Sequence, residues 1–145
     1  MLSDRELQIL GLLRENSRAT VTEISRKVCL PRSTVYEKIK KFRRDGIINK
    51  YSCLINFNRL GLPICAKILF KVNGDGKTKL ADMLANSEHT NNVVKLGNEY
   101  DLMASFIFDS MDNLHKFLDK LTADCKIEDY RILYVTKDLK REGFL

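Results

Sequence analysis

Apolar residues recur every third or fourth position in the first part of the chain, and every second position along several later segments. The first pattern predicts helices and the second predicts strands. Ser3 and Glu6 have the spacing of a capping box, in which a hydroxyl and a carboxylate satisfy free N–H groups at a helix start. Leu7, Ile9, Leu10, Leu12 and Leu13 then supply a broad apolar face, and residues 14–18 close the first helix. Thr20 and Glu23 form a second capping box, followed by Ile24 and Val28 one turn apart, which predicts a short second helix. Pro31 disfavours a helical Leu30, so Cys29 to Arg32 reads as a tight turn. Within Arg32 to Arg44, Val35, Ile39 and Phe42 fall on one face of a third helix. Asp45-Gly46 ends it, because Gly adopts the left-handed cap conformation at little cost. Two short helices joined by a tight turn, after a longer first helix, form the helix-turn-helix arrangement.

After Gly46 the periodicity changes. Tyr51 to Phe57 alternates loosely as a strand, and residues 58–63, with Gly61 and Pro63, read as a connector. Cys65 to Val72 is a predicted strand with Ala66, Ile68, Phe70 and Val72 on one face and Lys67 and Lys71 on the other. Leu80, Met83 and Leu84 mark a helix. Val93 to Leu96 is a short strand, NEYD a turn, and Leu102 to Phe108 a buried strand. Ser110 caps a helix carrying Leu114, Phe117, Leu118 and Leu121, and Ile127 to Val135 is a last strand rich in aromatic and β-branched residues. The order β-α-β-β-α-β is the ferredoxin-like arrangement, with two helices on one face of an antiparallel sheet. The predicted class is therefore α+β: an N-terminal helix-turn-helix domain (1–50), a hinge strand and connector (51–63), and a C-terminal ferredoxin-like βαββαβ domain (64–145). Phe70, Phe106, Phe108, Tyr130, Ile132 and Tyr134 exceed what two short helices need to cover. The open sheet face is therefore expected to meet a second subunit.

Charge sharpens this division. Of a net +6, residues 1–60 hold 13 Lys/Arg against 6 Asp/Glu, and residues 61–145 hold 12 against 13. A basic segment joined to a neutral one suggests that the first part faces nucleic acid. On a helical wheel centred on Val35, Ser33, Glu37, Lys40 and Arg44 point away from the apolar face, with Lys41 near them and Tyr36 flanking. Arg32 and Ser33 sit at the N-terminal end, where recognition helices approach base edges, and Lys40, Lys41, Arg43 and Arg44 further along suit phosphates. The candidate DNA-binding residues are Arg32, Ser33, Thr34, Tyr36, Glu37, Lys40, Lys41 and Arg44, and the expected partner is double-stranded DNA. A solvated face with a Glu37–Lys41 surface pair is the bland alternative.

The stretch DRELQILGLLRENSRATVTEISRKVCLPRSTVYEKIKKFRRDGIINKY resembles the helix-turn-helix domain of the leucine-responsive regulatory protein/AsnC family. The likeness runs through Asp4, Ile9, Leu10, Leu13, Arg18, Glu23, Ile24, Leu30, Val35, Ile39, Gly46, Ile48 and Tyr51. The family's C-terminal half is a ferredoxin-like regulatory module, so the resemblance covers nearly the whole chain. It implies a homodimer, often assembled into tetramers or octamers through the C-terminal sheets. It also implies transcription regulation that responds to a small effector, commonly an amino acid. LGNEYD resembles the Gly-x-Tyr-Asp loop that lines the effector pocket in relatives, with one extra residue. The resemblance thereby marks Gly97, Asn98, Glu99 and Asp101 as candidate effector contacts, with a plain hairpin turn as their other reading. Two further departures are visible. Pro31 stands where the family often has Ser as helix cap, which would let Thr34 and Glu37 form a later capping box. Cys29 stands where Gly or another small residue is usual.

Little else in the chain carries chemistry. His89 and His115 have no matched Cys, Ser or carboxylate spacing, so no enzyme is expected. NGDGK lacks both the P-loop and the dinucleotide spacings. Cys29, Cys53, Cys65 and Cys125 are too scattered for a zinc site and are expected to be buried small hydrophobes rather than disulfide partners. No cofactor or metal is predicted. No apolar run approaches the ~18 residues of a membrane span. The N-terminus also lacks a signal-peptide layout, so the expected compartment is the cytoplasm. The reading favoured is a sequence-specific DNA-binding transcriptional regulator. A low-specificity architectural DNA-binding protein and a metabolite-sensing oligomer with weak DNA binding are the alternatives.

Overall fold

Both capping boxes form, and they set where the chain enters its first two helices. The computed structural model describes residues 2–74, 76–97, 99–141 and 143. The chain divides into two compact units, Met1–Ile55 with Leu139–Leu145 and Asn56–Asp138. In the first unit, α1 spans Asp4–Glu15, α2 Val21–Val28 and α3 Arg32–Arg44. The Glu6 carboxylate accepts the Ser3 N–H at 2.9 Å, and the Glu23 carboxylate accepts the Thr20 N–H at 2.6 Å. Ile9, Ile24, Val35 and Phe42 are fully buried among Leu10, Leu13 and Val28, while Leu7 lies outside this core and is exposed.

The turns carry the local strain. Cys29 ends α2 at φ +52°, the one non-glycine residue with positive φ among those described. This is the position where the missing Cβ of Gly would remove the left-handed penalty. Gly46 ends α3 at φ +71°. Its N–H reaches the Arg43 carbonyl at 3.2 Å, and the Ile47 N–H reaches that of Phe42 at 2.8 Å. That bond pair is a Schellman cap, which satisfies carbonyls that the helix leaves free.

Three expectations are corrected here. The later capping box at Thr34 and Glu37 does not form: α3 starts at Arg32, with Pro31 at its cap and no side-chain cap bond. Pro31, at φ −56° and ψ 144°, already delivers the chain in the extended conformation a cap residue needs, so Thr34 falls within the first turn. Residues 51–56 form no strand, and a 3-10 turn follows at Phe57–Leu60. A strand needs a neighbour for its backbone groups, and this exposed segment has no strand partner among the described residues. Finally, only Cys125 of the four cysteines is buried. Cys29 and Cys53 are exposed, because one occupies the turn and the other the unpaired segment.

In the second unit, β1 (Ile64–Val72), α4 (Gly76–Ala85), β2 (Thr90–Lys95), β3 (Leu102–Phe108), α5 (Met111–Asp124) and β4 (Ile127–Tyr134) follow the βαββαβ order. The sheet order is β2-β3-β1-β4, and every pairing is antiparallel. Leu80 and Leu84 of α4 and Leu114, Leu118 and Leu121 of α5 pack on Ala66, Ile68, Phe70, Ala104, Phe106 and Phe108. Phe70, Phe106 and Phe108 therefore lie under the helices, not on the open face where surplus aromatics were expected. Ile132 packs against the same core, and Tyr130 and Tyr134 share that side, paired with Phe70 and Ala66. Alternation is the reason: residues of one parity on β1 and β3 all face the helices. The other parity puts Leu69, Met103, Val94 and Leu133 on the open face, interleaved with Lys67 and Arg131.

Candidate nucleic-acid interface

Helix α3 is held from behind by one contact from α1, and a second α1 contact fixes the turn before it. Lys38 lies about 60° from Val35 on the wheel, next to the buried face. Its ammonium pairs with the Glu6 carboxylate at 3.0 Å. Arg5, one residue earlier on α1, donates to the carbonyls of Val28 and of Cys29, the latter at 3.1 Å. It thus closes the α2 end and fixes the turn that launches α3. Arg43 lies over the Tyr51 ring, 5.7 Å from its centroid, which ties the α3 end to the segment after it.

Glu6 serves two partners, the α1 start and Lys38. The Ser3 N–H is the larger cause and Lys38 the next in holding its carboxyl down to about 2 from an ordinary 4.5. A carboxylate depressed by folding contributes stability that is complete above its unfolded pKa and lost as pH falls through the folded one. Acid titration is therefore expected to remove the Glu6 contribution between pH 4.5 and about 2. Thermal melts should show wild type more stable than Glu6→Gln at neutral pH, with the gap closing across that window. A gap independent of pH would contradict this role.

Of the expected contacts on α3, Arg32, Ser33, Glu37, Lys40, Lys41 and Arg44 are exposed, Thr34 is half-buried, and Tyr36 is 54% exposed. Seven of the eight expected contacts are thus exposed: Ser33, Glu37, Lys40, Lys41 and Arg44 lie on the side away from Val35, and Arg32 and Tyr36 lie on one flank. An open depression along α3 is lined by Ser33, Thr34, Glu37, Lys40, Lys41 and Arg44, together with the Glu6–Lys38 pair. The expected Glu37–Lys41 pair does not form; Glu37 makes no hydrogen bond or ion pair among the described residues. Arg44 is the exception on this face, with its Nε 3.2 Å from Asp45. The uncapped first turn of α3 also leaves backbone N–H groups at its N-terminus, which favour an anion.

The loop that resembles the family's effector loop joins β2 to β3. Gly97 and Glu99 are exposed, and Asn98 lies outside the described residues. Asp101 has both carboxylate oxygens engaged: Lys77 at 2.6 Å on one and the Val72 N–H at 2.9 Å on the other. Those two contacts, the lysine first, hold its pKa below the usual carboxylate range. Its backbone N–H donates to the Phe70 carbonyl at 2.9 Å, so Asp101 locks the loop to the end of β1. Tyr100 beside it is buried, with its hydroxyl 3.5 Å from Asp129.

A family model described as winged helix-turn-helix DNA-binding matches residues 2–49. An uncharacterised HTH-type transcriptional regulator of Pyrococcus furiosus is 33% identical over 119 residues, covering 80% of this chain and 77% of that protein. A solved transcriptional regulatory protein of Pyrococcus furiosus, described as a member of the AsnC family, matches with a TM-score of 0.78 at 25% identity, over 99% of this chain and 95% of that one. The chain belongs to the leucine-responsive regulatory protein/AsnC family. Another solved structure, a transcriptional regulator of Neisseria meningitidis in complex with L-Met, superposes with a TM-score of 0.88 at 25% identity, covering 97% and 94%.

Like other regulators of the AsnC family, this protein is a DNA-binding transcriptional regulator with a helix-turn-helix. No described helix is long and apolar enough to cross a membrane. Among the described residues no three His, Cys, Asp or Glu group as a metal site would require. Sequence reasoning missed Arg5, Tyr100 and Lys77. Arg5 acts across 23 residues of chain and leaves no local signal. Lys38 and Glu6 were findable: the wheel turns Lys38 toward the packed side, where an ammonium requires a partner.

Proposed function

We propose that this AsnC-family regulator binds operator DNA as a dimer, with α3 of each protomer in a major groove. Arg32, Ser33, Thr34, Tyr36 and Glu37 read base edges, and Lys40, Lys41 and Arg44 grip phosphates. The observation that supports this most directly is the division of labour on α3. Its buried-side lysine is consumed by Glu6, while Lys40 and Lys41 of the exposed side pair with no carboxylate among the described residues. The dimer forms through the open sheet face, whose Leu69, Met103, Val94 and Leu133 require cover, and a tetramer or octamer follows by further packing. The effector is a small molecule of the amino-acid class, met by the Gly97–Asp101 loop; the L-Met complex of the Neisseria meningitidis regulator supports that class. Such a regulator works in the cytoplasm.

Selection of bound DNA from a random pool, followed by footprinting with and without each of the twenty amino acids, tests this reading. It should recover a site with two related half-sites about 34 Å apart, one helical turn. One amino acid should change its occupancy or footprint. Binding to random duplex as tight as to any selected site would refute sequence-specific regulation.

A further inference from the structure

Helix α3 carries six basic side chains and a single carboxylate, Glu37. Among those six, Lys38 is bound to Glu6 and Arg43 lies over Tyr51. Lys40 and Lys41 stand three and four residues after Glu37, where helix neighbours meet, yet Glu37 pairs with neither. It points about 160° from Val35, beside Ser33 and near the centre of the exposed face. It also lies in the N-terminal half of α3, the part of a recognition helix that approaches base edges. A carboxylate so placed is repelled by phosphates, and among the described residues no cation pairs with it. DNA binding is compatible with it only where a base offers a hydrogen-bond donor.

The major-groove donors are the cytosine N4 and adenine N6 amino groups. Adenine places its N7 acceptor beside that donor, which opposes the second carboxylate oxygen. Guanine shows two acceptors, O6 and N7, and thymine an acceptor and a methyl group. We propose that Glu37 is a specificity-determining residue that selects cytosine at one position of each half-site and rejects guanine there. The assignment rests on the reading of α3 as the groove-binding helix and adds to it which base one side chain demands.

The test is selection from a random pool with the full-length protein as wild type, Glu37→Gln and Glu37→Ala, each checked by thermal melt. Wild type should enrich cytosine at one position per half-site. Replacing that cytosine by guanine should weaken binding on the order of tenfold or more. Glu37→Gln should shift the preference at that position to adenine, because a carboxamide pairs with N6 and N7 together. Glu37→Ala should abolish the preference there, leave the other positions unchanged and raise affinity for random duplex. If wild type selects a motif and both variants select the same one at every position, the Glu37 assignment is wrong and the α3 reading stands. If wild type selects no motif, both fall.

Discussion

Truncating Phe42 to Ala should unfold the helix-turn-helix while leaving the βαββαβ unit folded. Phe42 is wholly buried, and its carbonyl also accepts both the Ile47 and the Ile48 N–H groups at the α3 stop. Removing a buried Phe side chain costs about 3–5 kcal/mol, since lost transfer energy adds to the cavity left behind. Domain stabilities are typically ~5–15 kcal/mol, and a unit of this size sits toward the lower end. The seven buried side chains of this core have few neighbours with which to close the gap. Hydrogen exchange resolved by peptide should therefore show protection lost across residues 4–44 and retained in β1 to β4. DNA binding should disappear with it. Phe42→Leu, which keeps most of the volume, should lose far less. Retained protection in α1 to α3 of the Ala variant would show that this core does not depend on Phe42.

The contrast between the two units explains how much of the fold was legible. Helix signals are local: Ser3 with Glu6 and Thr20 with Glu23 lie three residues apart, and Val35, Ile39 and Phe42 lie within one element. Strand parity is local too, which is why Ala66, Ile68, Phe70 and Val72 were placed together on the side that proves buried. Which face of β3 joins that side depends on register, and register pairs Ala66 with Phe106 across 40 residues of chain. The aromatic residues were therefore counted correctly but assigned to the wrong surface. Residues 51–57 failed in the opposite way. Their alternation was real, but pattern alone does not supply a neighbouring strand.

The exposed surface of α3 was legible for a related reason. An exposed helix face is the complement of its buried face, so fixing Val35, Ile39 and Phe42 fixes Ser33, Glu37, Lys40 and Arg44. The start of α3 was harder. Pro31 offers no side-chain oxygen, and the search for a cap moved to Thr34, although backbone geometry at Pro31 already served. The β2–β3 loop was legible only by resemblance. Its shape comes from Asp101 reaching Lys77 and Val72, contacts separated by 24 and 29 residues, which no spacing rule covers.

Removing Lys40 and Arg44 together should flatten the salt dependence of DNA binding, and the size of the change should report how many protomers touch the duplex. Each phosphate contact contributes about 0.9 to the slope of log K against log salt, through release of condensed counterions. Losing two contacts should reduce the slope by about 1.8 if one α3 is engaged and by about 3.6 if a dimer places two. The loss should be alike for the selected site and for random duplex, because phosphates carry no sequence. Lys38→Ala is the matched control. It removes a cation from the same helix, but one already committed to Glu6, so it should lower thermal stability and leave the slope nearly unchanged. Fluorescence anisotropy of a labelled duplex across a salt series measures all three proteins. Equal slopes for wild type and Lys40→Ala/Arg44→Ala would remove the phosphate grip from α3. A reduced slope confined to Lys38→Ala would place the grip on the helix's other side. The arrangement of charge on α3 predicts neither outcome: among the described residues Lys40 has no ion-pair partner and Arg44 has only the adjacent Asp45.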